Sequence, residues 1–184
     1  MISVDTVTIE RVCQGDVIRD VEYCESAESI EGIIEVNKII FPVVVVLTQD
    51  CDLLWDDTYR INEKPNDKWL MSVLLAPAYN ADHLFSGVHL EELGIISEAF
   101  KRQSTDYKRI IQNKNPRYHY LEFPDEVHIV PSVIDFKHYF SAPVTYLRTL
   151  KRTNCACKLA PLYREDVCQR FSSYLSRIGL PNGQ

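Results

Sequence analysis

Asp50, Cys51 and Asp52 stand together at the end of an apolar run that begins at Lys38, KIIFPVVVVLTQ. Two acids flanking a thiol allow two kinds of chemistry. If the backbone stays extended that far, Asp50 and Asp52 share one strand face while Cys51 takes the other. The two carboxylates can then hold Mg²⁺ together with waters and phosphate oxygens. In the second chemistry a Cys51 thiolate uses His119 or His138 as base and Asp135 as orienter, a hydrolase-like triad. Adjacent acids raise a thiol's pKa and work against it. Cys51, His119 and His138 with Cys155 or Cys157 are also a zinc donor set, one whose members come from separate strands without a supporting spacing. A plainer reading is that Asp52 closes the turn after the strand and Cys51 fills an apolar gap. No cofactor is expected.

A second group lies further on. Arg117, Tyr118, His119 and Tyr120 follow Lys101, Arg102, Lys108, Arg109 and Lys114. Positive charge next to aromatic rings can hold phosphates while bases stack, and Lys108, Arg109, Lys114, Arg117 and Tyr118 are the nucleic-acid candidates. The alternative is that the tyrosines belong to a strand core and the lysines to a solvated helix face.

Charge is distributed unevenly. The chain carries a net charge of −6, which argues against a general nucleic-acid binder. Residues 1–99 hold 6 Lys/Arg and 19 Asp/Glu, net −13, and residues 100–184 hold 14 and 7, net +7. Opposite halves can attract within one chain or between copies, and the basic half can meet a phosphate backbone or an acidic protein. A protein partner or a homo-oligomer is expected, nucleic acid is allowed, and a membrane is not. The N-terminal MISVDTVTIERV has acids where a signal peptide carries positive charge, and no apolar stretch is long enough to span a bilayer. The expected location is the cytoplasm, where the six cysteines remain reduced thiols.

These groups need elements to position them. At 184 residues with 46% hydrophobic content, the chain is the size of one domain with a real core. Val43 to Val46 are stiff at χ1 and favour a strand apolar on both faces, hence a central one. Val17–Tyr23 pairs with Gly32–Lys38 as a hairpin with CESAESIE as its long loop. Residues 56–67 read as a polar loop, and Trp69–Ala76 as a second two-faced strand stopped by Pro77. Asn80 caps a short helix through Phe85. One or two helices follow between His89 and Ile111, with Gly94 and the STD segment as breaks.

Strands return at Arg117–Phe123, Val127–Val130 and Val133–Phe140. A short helix or turn at Pro143–Leu150 and a strand at Asn154–Leu159 follow. The last helix has Pro161 at its first position, an apolar stripe of Val167, Phe171, Tyr174, Leu175 and Ile178, and Gly179 and Pro181 as stops. The expected fold is α+β, a small curled SH3-like barrel with inserted helices and a packed C-terminal helix. It forms a single domain over 1–184, divided into barrel strands (1–79), a mostly helical insertion (80–116), returning strands (117–160) and the helix (161–180).

The order GDVIRD, hairpin, FPVVVVLTQ and WLMSVLLAP resembles the start of PemK/MazF-type toxins, over roughly the first 80 residues. That resemblance implies an SH3-like barrel and, for many members, metal-independent RNA cleavage. The departures are that Phe41 replaces the arginine before the strand proline and that no catalytic threonine is recognisable around Pro77-Ala78-Tyr79. The chain also resembles a set of small uncharacterised bacterial proteins through LTQDCDLL, PRYHYLEF, DFKHYF and PLYREDVCQRFSSYLSRIGLP. That likeness covers most of the chain and implies no activity.

Three functions stay open. The first is a non-catalytic binding or regulatory module of toxin–antitoxin or phage-defence type. The second is a metal- or cysteine-dependent nuclease or hydrolase centred on Asp50, Cys51 and Asp52. The third is a structural subunit of a larger assembly.

Overall fold

Valine at every position from 43 to 46 makes sense only for a strand covered on both sides, and β3 is such a strand. The computed structural model of the chain describes residues 1–5, 10–62 and 66–177. The strands are β1 (Val4–Asp5), β2 (Asp16–Ile30), β3 (Ile33–Val46), β4 (Ser72–Asn80), β5 (Tyr118–Leu121), β6 (Ser132–Asp135), β7 (Phe140–Pro143) and β8 (Cys155–Leu159). The helices are α1 (Asp50–Ile61), α2 (Ala81–Ser86), α3 (Thr105–Ile111), α4 (Val144–Asn154) and α5 (Pro161–Leu175). All pairings are antiparallel, in the order β1-β8-β2-β3-β4-β6-β5, with β7 also on β4. The architecture is α+β, a curled antiparallel half-barrel with α5 packed against it.

Each face of β3 has its own core. Val45 joins Val17, Ala76, Cys157 and Leu159 under Val167 and Phe171 of α5. Val44 and Val46 join Ile18, Val21, Val73 and Leu75 under Leu53 of α1 and Val144 and Leu147 of α4. Burying one such side chain contributes about 1.5–3 kcal/mol, so neither face tolerates a polar residue. A third cluster, Ala81, Leu84, Phe85, Ile110, Tyr118 and Val133, packs α2 and α3 on the β5–β6 end.

A buried ion pair joins α4 to the start of β2. Lys151 Nζ donates to Asp16 Oδ2 at 2.6 Å and to the Arg11 carbonyl at 2.6 Å, and the Cys13 amide donates to the same Asp16 oxygen at 2.7 Å. Burial raises the Asp16 pKa, and Lys151 opposes the shift.

Several expected elements are corrected. CESAESIE is strand rather than loop: β2 and β3 pair from Val17↔Val45 to Ile30↔Ile33, closed by the two-residue turn Glu31-Gly32. Both turn residues have positive φ, +50° and +83°, as a hairpin turn of matching twist requires. Residues 50–61 form α1 where a strand end and a polar loop were expected. Pro77 does not stop β4, which runs to Asn80. One edge of β4 pairs with β7 up to Leu75 and with β6 from Ala78, so Pro77 falls in the gap where a missing N–H disturbs least. Asp125–Val127 and Phe136–His138 are 3₁₀ turns, not strand.

Asn80 caps α2 as expected, its Oδ1 accepting from the Asp82 and His83 amides. The segment after α2 holds a 3₁₀ turn at Glu91–Leu93 and then α3, broken at Gly94 and capped by Ser104. In α5 Val167 and Phe171 are buried, Tyr174 is half-buried and Leu175 is exposed. Ile178, Gly179 and Pro181 lie outside the described residues. Among the described residues, no helix is long and apolar enough to cross a membrane.

Candidate functional site

Asp50 opens α1, and its carboxylate is already engaged. Arg11 grips it with both guanidinium nitrogens at 3.1 and 2.8 Å, and the Gln14 amide donates to it at 3.2 Å. Burial pushes the Asp50 carboxyl up, but the Arg11 hydrogen bond and charge outweigh it and hold the pKa below its ordinary value. Successive α-helical residues advance about 100°, so Asp50 and Asp52 diverge instead of sharing a face. Cys51 is exposed, its thiol facing Gln49 and Asp52. The acids one turn further on also serve packing: Asp56 accepts from Arg60 Nε and the Leu70 amide at 2.7 Å each, and Arg148 bonds Asp57.

The expected triad and zinc set do not assemble. No hydrogen bond joins Cys51 to His119, His138 or Asp135 among the described residues, and no group of three or more His, Cys, Asp or Glu there is placed for a metal. His119 is buried beside Phe136, with its Nδ1 unpaired. Burial, aided by Arg170, lowers its pKa to about 3, which leaves a neutral core side chain. Burial pushes the Cys155 thiol up to about 11 and the Cys157 thiol up to about 12. Such thiols are packing groups, not nucleophiles.

His138 and Asp135 do come together, with partners of a different kind. Asp135 ends β6 and is completely buried. Its Oδ1 accepts from Arg117 Nε at 2.8 Å and from the Lys137 amide at 3.0 Å, and its Oδ2 from Arg117 Nη2 at 2.5 Å. His138 Nδ1 is 3.6 Å from Asp135 Oδ2 and 3.1 Å from the Tyr79 hydroxyl. Both partners therefore hold the Nδ1 edge, which turns Nε2 away from them. His89 lies edge-on to Tyr79 at 4.9 Å between ring centroids and 6.5 Å from His138, with both of its ring nitrogens buried and unpartnered. Burial lowers the pKa of both histidines, in each case against the pull of Asp135, and raises that of Tyr79.

His89, Arg117, Lys137 and His138 line a cleft of about 410 Å³. Leu90, Ile95, Ile96 and Phe100 supply apolar walls, Tyr118 an aromatic one, and His89, Ser97, Glu98, Arg117, Lys137 and His138 the polar groups. That volume falls in the range of small-ligand sites. The 87–100 wall is fixed by the Ser97 amide on the Gly87 carbonyl at 3.2 Å and the Phe100 amide on the Phe85 carbonyl at 2.8 Å. Gly87 has φ +82°, and a Cβ there would collide with the Ser97 carbonyl oxygen, so only glycine suits this closure.

Of the nucleic-acid candidates, Lys108, Arg109 and Lys114 are exposed and without an acidic partner among the described residues. Arg117 is committed to Asp135 and stacks over Tyr118 at 4.9 Å. Tyr118 is largely buried and meets the surface where it lines the cleft. Two of the five guanidinium N–H bonds go to Asp135, which leaves the others for a ligand.

Sequence reasoning overlooked Tyr79 and His89. Nothing in their local spacing marks them, because the wall carrying His89 meets β4 and β6 only through tertiary packing. A scan against protein-family models finds no match, and no curated protein matches the chain.

Proposed function

We propose that the chain is a non-catalytic binding module, of toxin–antitoxin or phage-defence type, that holds single-stranded nucleic acid with one unpaired nucleotide in the His89–His138 cleft. The observation that carries this reading is the cleft's composition. Apolar and aromatic walls face donors from Arg117, Lys137 and His138 and the single carboxylate of Glu98, and the exposed Lys101 and Arg102 directly follow the lining residue Phe100. Walls of this kind suit the face of a base, and the cations suit the phosphates on either side of it. The setting rests only on the resemblance of the first strands to the toxins.

Fluorescence anisotropy of a labelled single-stranded RNA tests the proposal. Binding is expected to weaken with salt, log K falling by about 0.7 per neutralised phosphate for each unit of log salt. Lys137→Ala and Phe100→Ala are each expected to weaken it by roughly 1–2 kcal/mol. Binding that is absent at low salt, or untouched by both substitutions, overturns the reading.

One observation favours a second, enzymatic reading. The Tyr79 and Asp135 contacts orient His138 with Nε2 free to exchange a proton, so an acid–base hydrolase would be centred there and not on Cys51. The two readings separate cleanly, because RNA cleaved in chelator and protected by His138→Ala supports the enzyme, while intact RNA supports the module.

A further inference from the structure

Glu98 supplies the single carboxylate among the described residues that line the cleft, beside the cations Arg117 and Lys137. These three charges do not neutralise one another. Glu98 and Lys137 are exposed and make no ion pair among the described residues, while Arg117 is paired with the buried Asp135. Opposite charges that share a cleft without meeting leave room for a ligand that offers donors to one and acceptors to the other. The remaining polar lining groups are His89, Ser97 and His138. Burial keeps both histidines below their ordinary pKa, hence uncharged at neutral pH.

The backbone that carries Glu98 is held on both sides. The Ser97 amide donates to the Gly87 carbonyl at 3.2 Å, and the Phe100 amide to the Phe85 carbonyl at 2.8 Å. Burial and the charges of Asp135 and Glu98 raise the Tyr118 pKa against the pull of Arg117. The Glu98 charge therefore lies near the same ring that Arg117 covers at 4.9 Å. A carboxylate only accepts, and its two oxygens match two donors side by side. Guanine alone among the four RNA bases has such an edge, N1–H next to the 2-amino group, while its O6 and N7 accept from arginine or lysine. Adenine and cytosine set a ring-nitrogen lone pair beside their amino group, and uracil sets its single N–H between two carbonyls. We infer that the cleft selects guanine, with Glu98 accepting from N1–H and the 2-amino group while Arg117 and Lys137 donate to O6 and N7. This assignment rests on the proposal that the cleft holds an unpaired nucleotide.

Fluorescence anisotropy with labelled oligouridylates whose central residue is A, C, G or U tests it. The strand with guanine is expected to bind roughly fivefold tighter or more than the others. Replacing that guanosine by inosine, which lacks only the 2-amino group, should remove part of the gain. Glu98→Gln should erase the preference, and strands without guanine should bind this variant no more weakly than they bind the wild-type chain. Because Glu98 is exposed and unpaired, circular dichroism should show the fold unchanged. Strands that all bind alike, inosine that binds as guanosine does, or a preference that survives Glu98→Gln overturns the guanine assignment and leaves the nucleic-acid reading standing. Equal weakening of every strand by Glu98→Gln would make Glu98 a merely structural residue and overturn the assignment too. If no strand binds the wild-type chain, both readings fall.

Discussion

Asp135 is completely buried, and Arg117 is the cation paired with it there. The Arg117 side chain is 36% exposed and that of Asp135 is 0% exposed, so removing the arginine strands the more deeply buried charge. Arg117→Ala is expected to lower stability by about 3–5 kcal/mol in urea unfolding. Arg117→Lys should recover only part of this, because an ammonium cannot reproduce the two-point grip. His119 makes a separate prediction. Its pKa is about 3 in the fold and about 6.5 unfolded. Above about pH 6.5 neither state binds the proton and the folded chain is not penalised. As pH falls from there toward 3 the unfolded state takes up a proton that the native state refuses, and stability drops by up to about 1.4 kcal/mol per pH unit. His119→Leu should flatten the acid limb of a stability–pH profile by that slope. An unchanged limb would mean that His119 protonates in place.

Among the elements, the Glu31-Gly32 turn of the two-stranded β2–β3 ribbon carries the clearest backbone conflict. Glu31 occupies a left-handed conformation at φ +50° that asparagine adopts more readily. Glu31→Asn should stabilise the turn by roughly 0.5–1 kcal/mol, seen as slower amide exchange from Ser26 to Asn37. Which elements could be read from sequence follows from how each is held. β3 and α5 announce themselves because apolar periodicity and burial coincide, and Asn80 because its cap is local. α1 left no such mark: beyond Leu53 its buried residue is Asp56, satisfied by Arg60 and the Leu70 amide, so no apolar stripe exists to detect. The ribbon was equally silent, since strands exposed on both faces have no reason to alternate. Asp135, His138 and Arg117 could be named individually, but their union with Tyr79 and His89 depends on contacts across the whole fold.

At the scale of the whole molecule, the cleft is closed by a segment that comes late in the chain. Arg170 of α5 donates to the carbonyls of Asn113, Asn115 and Tyr118, on either side of Arg117, across 52 to 57 positions of chain. As the protein is synthesised, Arg117 leaves the ribosome well before the residue that clamps its neighbourhood. A product that stops short of α5 therefore lacks the three hydrogen bonds that hold the Asn113–Tyr118 segment beside the cleft.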